Sequence, residues 1–320
     1  MVALPAGAKI PWIKSPCVLS PELSRIAATS TSSLTTSSPA GPSSPAAWET
    51  SWSGQQPLAP RHPLLLLLGG NAGLACATSA ISLGCTATIV IPTSAPAIMI
   101  SKLLALGVEV VQVGSNWAES DAHLRGELLA RDPTGVYVPP FDHPQIWDGA
   151  ATIVTELREQ LGDTPLHGII CSVGGGGLLN GIMQGVESAS SWPEGAKPKV
   201  IAVETTGADS LNASVRAGEH VTLPGITSIA KSLGATRVSD RTWRWSQESS
   251  NLESMAVSDA DAAISCVRFA DDARTLVEGL SDEEWAKKNV VIEVCGGANV
   301  TLALLAEYRE TYAGETTIKR

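Results

Sequence analysis

A run of four glycines, Gly174 to Gly177, most narrows the ways in which this chain can fold. The apolar residues Ile169, Ile170 and Cys171 before it are typical of a buried strand, and L-L-N-G-I-M after it has helical spacing. Because glycine has no Cβ, backbone N–H groups can turn toward one point and a ligand can approach closely. The start of the helix adds a partial positive charge. Strand, glycine turn and helix start together predict an anion site, most often for a phosphate.

The glycine spacing also indicates which kind of phosphate is bound. The run lacks the Lys-Ser/Thr pair of a P-loop and the G-x-G-x-x-G spacing of dinucleotide-binding folds. ATP and NAD are therefore disfavoured, and a small phosphorylated cofactor held by backbone groups is favoured. A tight strand-to-helix turn without a ligand is the alternative.

Strand-like and helix-like segments alternate along the chain after residue 69. Strands are predicted at 87–91, 108–113, 136–138, 169–171, 200–203 and 290–294, with helices between them that include 210–217 and 226–233. This order predicts an α/β fold with largely parallel sheets and helices on both faces. In such sheets ligands bind beyond the carboxyl ends of the strands. Three glycine-bearing turns occupy that position, and we expect them to face one active-site cleft: Gly69–Gly73, Gly174–Gly177 and Gly296–Gly297.

The stretch from Thr29 to Pro63 differs in kind from the rest of the chain. Ser, Thr, Pro and Gly dominate it, and it has no sustained period of 2 or 3.6. This composition predicts a disordered or poorly packed segment. A structureless span of this length is unusual inside a compact domain.

Composition excludes several classes of partner. A net charge of −10 without a local basic cluster argues against a nucleic-acid surface. No apolar run is long enough to span a membrane. The six cysteines form no C-x-x-C pair, the five histidines show no metal-ligand spacing, and no signal peptide is evident. We expect a cytoplasmic protein with reduced thiols, whose partners are small molecules or another protein subunit.

Six stretches of the chain form a recognisable set. They are G-G-N-A-G-L-A-C-A from Gly69, A-T-I-V-I-P-T-S-A-P from Ala87, V-Y-V-P-P-F-D-H-P from Val136, S-V-G-G-G-G-L-L-N-G from Ser172, A-V-E-T-T-G-A-D-S from Ala202 and V-C-G-G-A-N-V from Val294. In this order they resemble the fold-type II pyridoxal-phosphate enzymes, the tryptophan synthase β-like family. Within that family the chain is most similar to the short, liver-type serine/threonine dehydratases.

The resemblance implies two three-layer α/β domains with a cofactor cleft between them. Residues 1–28 would be a lead-in of the large domain, 69–141 the small domain and 142–320 the large, cofactor-binding domain. Residues 29–68 would be the low-complexity stretch with no counterpart in the family. The resemblance also implies pyridoxal 5′-phosphate as the cofactor, an amino acid as the substrate and a homodimer.

The resemblance assigns roles to individual residues around the cofactor. Asn71 would hydrogen-bond the pyridoxal 3′-oxygen, and Cys295 would face the pyridine nitrogen. A neutral thiol cannot keep that ring protonated as a carboxylate would, which suits prompt β-elimination. The phosphate would be held by the backbone N–H groups of Gly174, Gly175, Gly176, Gly177 and Leu178. The plain alternatives are a helix cap for Asn71 and a buried core thiol for Cys295.

A monovalent cation, such as K⁺, is also implied by the resemblance. Glu204, Ala208 and Ser210 match positions that help coordinate it in the family. The alternative for Glu204 is a solvated carboxylate at a strand end.

The chain departs from the family at the lysine on which its chemistry depends. That Schiff-base lysine, which moves the Cα proton, lies in a K-x-E…S-x-S/G-F-K-x-R-G segment before the first glycine turn. Here no lysine lies between Lys14 and Lys102, and Leu67 and Leu68 replace hydroxyl residues that bind the substrate carboxylate. We therefore expect no catalytic lysine and impaired turnover. Our hypothesis is that a misread or alternatively spliced gene has placed a non-homologous stretch at residues 29–68.

The expected lineage function is β-elimination of L-serine, and secondarily of L-threonine, to pyruvate or 2-oxobutanoate and ammonia. One alternative is another fold-type II enzyme, such as a cysteine synthase or a racemase. Cys295 counts against it, because many relatives of those types have serine there. The other alternative is a non-catalytic protein that binds pyridoxal phosphate, and the missing lysine favours it.

Overall fold

The computed structural model describes residues 17–19, 30–34, 64–67, 71–82, 84–115, 117–132, 134–193, 197–271, 290–294, 300–312 and 314–315. These residues form two compact units. The described residues of the first unit lie between 64 and 152, and those of the second lie at 17–34, 153–294 and 300–315. The finer division into domains at residues 28, 68 and 141 stays a prediction. Within the described ranges, no helix combines the length and apolar character needed to cross a bilayer.

The first unit is built on a parallel sheet of four strands in the order β5-β4-β3-β6. The strands are β3 (Leu64–Leu67), β4 (Ala87–Ile91), β5 (Glu109–Gln112) and β6 (Val136–Val138). The helices are α1 (Asn71–Ser82), α2 (Ala97–Ala105) and α3 (Trp117–His123), which continues through a π-helical turn (Leu124–Leu128) into α4 (Leu129–Arg131). A long helix, α5 (Pro144–Leu161), begins in this unit and ends in the second.

The core of the first unit forms around β4. Every residue of this strand is buried, as expected for an apolar run in the interior of a parallel sheet. Small side chains of α1, such as Ala75, Ala77 and Ala80, are fully buried in the same core. Their size allows the helix to pack closely, and Leu103 of α2 contributes a larger side chain to this core.

The second unit contains a sheet of six strands in the order β1-β2-β10-β7-β8-β9. All neighbouring strands are parallel except the antiparallel edge pair β1 and β2. The strands are β1 (Cys17–Leu19), β2 (Ser30–Leu34), β7 (Gly168–Ser172), β8 (Lys199–Thr205), β9 (Leu252–Val257) and β10 (Val290–Val294). The helices are α6 (Gly177–Ser188), α7 (Ser210–Ala217), α8 (Asp240–Glu248), α9 (Asp259–Asp271) and α10 (Leu302–Tyr312).

The core of the second unit lies between this sheet and its helices. Ile169 of β7 and Val200 of β8 pack with Leu179, Ile182 and Met183 of α6, and all five side chains are fully buried. The predicted α/β class with largely parallel sheets is confirmed.

The helix predicted at 226–233 is wrong. Only a single 3₁₀ turn (Lys231–Leu233) forms there. Backbone N–H groups of this segment are bound to residues outside it: Thr227 N donates to Gly207 O at 3.0 Å, and Ile229 N donates to the Asp259 carboxylate. Ser228 Oγ donates to the same carboxylate at 2.6 Å. Tertiary partners therefore override the local pattern.

One strand, β2, lies within the stretch whose composition predicted disorder, and β3 follows that stretch directly. β2 is bonded between β1 and β10, and β3 is bonded between β4 and β6. Both gain their backbone hydrogen bonds from strands distant in the sequence, which composition does not reveal. The rest of that stretch, residues 35–63, lies outside the described residues.

Candidate active site

The glycine loop follows β7 and leads directly into α6. Val173 N donates to Val203 O at 3.0 Å, so the chain still runs beside β8 where the loop begins. Gly176 has a φ of 98°, in the left-handed region that favours glycine. A Cβ at Gly176 would lie 1.8 Å from Thr242 Oγ1. The packing of α8 against the loop therefore requires glycine at this position.

The loop fits a phosphate group. The backbone N–H groups of residues 174 to 178 donate to no other residue in the described part of the chain. They stand at the start of the 12-residue helix α6, whose first N–H groups have no partner within the helix. An anion at this place would receive several hydrogen bonds and the favourable end of the helix dipole.

The segment 225–235 forms one wall of the loop. A Cβ on Gly174 would approach the Cα atom of Leu233 to 3.2 Å, so the two backbones lie close together. A Cβ added at Gly207 would lie 2.2 Å from the Oγ1 atom of Thr227, which belongs to the same segment. The segment thus joins the glycine loop to the turn that follows β8.

Glu204 lies near the carboxyl end of β8, and only 1% of it is exposed. Its Oε1 and Oε2 atoms accept hydrogen bonds from Leu211 N at 3.0 Å and Asn212 N at 2.7 Å. The carboxylate therefore caps the first turn of α7. Burial raises the pKa of Glu204 to about 7, although the two backbone hydrogen bonds oppose the rise. The alternative of a solvated strand-end carboxylate is wrong.

Ala208 lies in the turn between β8 and α7, and Ser210 is the first residue of α7. Ala208 N donates to Thr205 O at 2.7 Å, and both residues are buried. Ser210 Oγ has no hydrogen-bond partner among the described residues. A buried hydroxyl without a partner is unfavourable, and a cation would satisfy its oxygen. With Glu204 as the neighbouring carboxylate, these residues fit a singly charged ion better than a divalent metal. The described residues contain no cluster of three His, Cys, Asp or Glu side chains suited to a metal.

Three buried polar side chains behind the loop were missed by the sequence analysis. They are Asn180 on α6 and Ser239 and Thr242 at the start of α8, none of them more than 4% exposed. Asn180 was visible as a polar residue in the apolar L-L-N-G-I-M pattern. Ser239 and Thr242 gave no signal, because their contact with the loop depends on the tertiary fold.

The remaining predicted site residues lie in the first unit or outside the described residues. Asn71 is the first residue of α1 and belongs to the first unit. Cys295, Leu68 and the turn at Gly296–Gly297 lie outside the described residues. Leu67 is the last residue of β3.

Each described lysine of the second unit has a protein partner. Lys197 pairs with Glu187, and Lys199 lies 3.9 Å from Glu253. Lys231 Nζ donates to Ile226 O at 3.2 Å. Lys102 is on α2 of the first unit. Lys231 thus lies in the wall of the loop, where its ammonium group binds a carbonyl of the same segment.

Comparison with known proteins adds independent information. A family model described as pyridoxal-phosphate dependent enzyme matches residues 60–318. The chain is 40% identical over 268 residues to a serine dehydratase-like protein of Mus musculus, covering 78% of this chain and 79% of that protein. It is 40% identical over 260 residues to the L-serine dehydratase/L-threonine deaminase of Homo sapiens, covering 75% and 77% of the two chains. A solved structure, the fungal L-serine ammonia-lyase from Rhizomucor miehei, is similar with a TM-score of 0.77 and 31% identity, covering 94% of this chain and 98% of that one.

Proposed function

Because the chain belongs to the family of pyridoxal-phosphate dependent enzymes, we propose that its glycine loop holds the phosphate of pyridoxal 5′-phosphate and that its lineage function is L-serine deamination. L-Threonine is the second substrate of this proposal. The observation that carries it is the row of backbone N–H groups at residues 174 to 178, which have no partner among the described residues. The names of the relatives supply the reaction, in which L-serine gives pyruvate and ammonia.

The residues of the chain would divide the work of binding. The N–H groups of the loop would bind and orient the phosphate, Asn71 would donate to the 3′-oxygen, and Cys295 would face the ring nitrogen. The bound cofactor supplies the electron sink that stabilises negative charge at the substrate Cα atom. Glu204, Ala208 and Ser210 hold a monovalent cation, and this cation steadies the turn beside the loop.

Turnover by this chain is proposed to be weak or absent. The reaction needs a group that moves the Cα proton, which is the role of the family lysine. The chain has no lysine between Lys14 and Lys102, and each described lysine of the second unit has a protein partner. A non-catalytic protein that binds pyridoxal phosphate is therefore the second candidate function. The cytoplasm and a homodimer complete the proposal as the expected compartment and assembly.

The deciding experiment adds pyridoxal phosphate to the purified chain and records absorbance before and after borohydride. We expect the spectrum of the free aldehyde, saturable binding, and no cofactor attached to a peptide after reduction. A lysine carrying the cofactor, identified by mass spectrometry of the digest, would show that another lysine forms the Schiff base. The chain would then be able to attach its cofactor. Pyruvate formation from L-serine would then be assayed directly. No saturable binding would reject the cofactor proposal itself.

A further inference from the structure

Asn180, Ser239 and Thr242 form a closed ring of hydrogen bonds behind the glycine loop. Asn180 Nδ2 donates to Ser239 Oγ at 2.9 Å, and Thr242 Oγ1 donates to Asn180 Oδ1 at 2.9 Å. The Ser239 and Thr242 hydroxyl oxygens lie 3.0 Å apart, so Ser239 can donate to Thr242 and close the ring. Each donor then has one acceptor, and the bonds polarise one another in a buried environment.

The ring is tied to the loop at two carbonyl groups. Ser239 N donates to Gly175 O at 3.0 Å, and Asn180 N donates to Gly176 O at 2.8 Å. The Thr242 side chain occupies the space beside Gly176 that a Cβ would need. The carbonyl side of the loop is therefore bound to α6 and α8, whereas the N–H groups of residues 174 to 178 have no partner among the described residues.

We propose that Asn180, Ser239 and Thr242 are positioning residues that fix the glycine loop in its phosphate-binding conformation. The four glycines have the largest conformational freedom of any residues, so an unsupported loop would lose much entropy on binding an anion. The ring removes this freedom in advance, because it holds the two residues whose backbone N–H groups bind the Gly175 and Gly176 carbonyls. The inference rests on the proposed function only for the identity of the anion.

The ring differs from ordinary polar contacts because its members depend on one another. All three side chains are buried, so removing one hydroxyl leaves a donor and an acceptor without partners and without water. A single substitution should therefore weaken the support of the loop at both Gly175 and Gly176. Ser239 also caps α8 by accepting from Thr242 N at 3.2 Å, which links the cap of that helix to the loop.

The test compares Thr242→Val, which keeps the shape and removes the hydroxyl, with Thr242→Ser, which keeps the hydroxyl. The matched control is Ser120→Ala, which removes a buried hydroxyl that donates to Val113 O at 2.6 Å in the first unit. Titration with pyridoxal phosphate and with phosphate-free pyridoxal is followed by fluorescence. We expect Thr242→Val to bind pyridoxal phosphate about tenfold more weakly, with the affinity for pyridoxal unchanged. Thr242→Ser and Ser120→Ala should bind pyridoxal phosphate like the wild type.

Hydrogen exchange gives a readout that needs no cofactor. The amide hydrogens of Asn180 and Ser239 donate to loop carbonyls, so they should exchange about tenfold faster in Thr242→Val and at the normal rate in Ser120→Ala. Equal exchange rates in Thr242→Val and the wild type would overturn the inference. If Thr242→Val does not fold, Ser239→Ala replaces it under the same criteria. Failure of the wild type to bind pyridoxal phosphate would reject the proposed function alone, because the exchange rates still decide whether the ring holds the loop.

Discussion

At the scale of single residues, Gly176 meets two separate demands. Its φ of 98° disfavours any residue with a side chain, and the Thr242 hydroxyl occupies the place of a Cβ. A glycine run in the sequence indicates the first demand, since glycine is the common choice for a positive φ. The second could not be predicted, because Thr242 is far away in the sequence and nothing local marks its contact.

Replacing Gly176 should separate these two demands. Gly176→Ala is expected to lower the free energy of unfolding by about 3 kcal/mol, because backbone strain and a steric clash add together. The matched control is Gly84→Ala, where φ is 72° but no atom lies within 4 Å of the added Cβ, and about 1 kcal/mol is expected. Urea unfolding measures both values. Equal losses for the two variants would show that the loop yields to the methyl group.

The Glu204 carboxylate leads to a prediction about potassium. KCl should raise the melting temperature of the wild type relative to tetramethylammonium chloride at the same ionic strength. At saturation, the free energy of unfolding should rise by about 1 to 2 kcal/mol. Glu204→Gln should lose this difference, because a neutral amide cannot balance the charge of the ion. Glu253→Gln, which alters a carboxylate that is 57% exposed, is the matched control and should keep it. An equal salt effect in all three proteins would contradict the cation site.

At the scale of elements, the sequence predicted best where local pattern and tertiary environment agree. β4, β6 and β10 were predicted with the observed bounds, because each is a short run of β-branched and apolar residues. β4, for example, is buried throughout. α8 and β9 were missed. α8 reads D-R-T-W-R-W-S-Q-E, which is strongly polar, and its stability depends on its Ser239 cap and on burial of Trp245. β9 is an edge strand with alternating exposure, and only its pairing with β8 defines it.

The start of α9 offers a test of how elements support the loop. Asp259→Ala removes the acceptor of Ser228 Oγ and Ile229 N, so stability should fall by about 2 kcal/mol. Affinity for pyridoxal phosphate should fall as well, because the Lys231–Leu233 turn that follows lies against Gly174.

The control for Asp259→Ala is Ser258→Ala, at the residue that precedes and caps the same helix. Ser258 Oγ accepts from Asp261 N at 3.0 Å, so its loss removes a cap without touching the segment 225–235. We expect a loss of about 1 kcal/mol and unchanged affinity. Reduced affinity in both variants would mean that general destabilisation, rather than the wall of the loop, controls binding.

At the scale of the whole molecule, the stretch between β2 and β3 is the part of the chain where the family lysine is missing. It is the reason why we expect little activity from a member of this family. The family match begins at residue 60, and the chain has no lysine between Lys14 and Lys102. The flanking strands β2 and β3 nevertheless pair within their sheets. One end of this stretch is therefore fixed in the second unit by β2 and the other end in the first unit by β3.

A graft at this stretch should restore chemistry. Residues 35–63 are replaced by the lysine-bearing segment of a serine dehydratase relative, with β2 and β3 kept intact because they pair with β10 and β4. We expect a lysine that borohydride links to pyridoxal phosphate and measurable pyruvate from L-serine. The same graft with its lysine changed to alanine should show neither. If borohydride links the cofactor to the lysine but no pyruvate forms, the remaining defect lies in substrate binding, since Leu67 and Leu68 replace hydroxyl residues.

The place of β2 in its sheet has a consequence for the synthesis of this protein. Ser30 pairs with Val290, so β2 is synthesised long before the strand that pairs with it. At the usual speed of a ribosome this delay is roughly tens of seconds, during which the side of β2 that β10 will cover remains open. The nascent chain should therefore depend on chaperones until its last strand has emerged. A premature stop before residue 290 would also deprive β2, at the other end of the chain, of a neighbour.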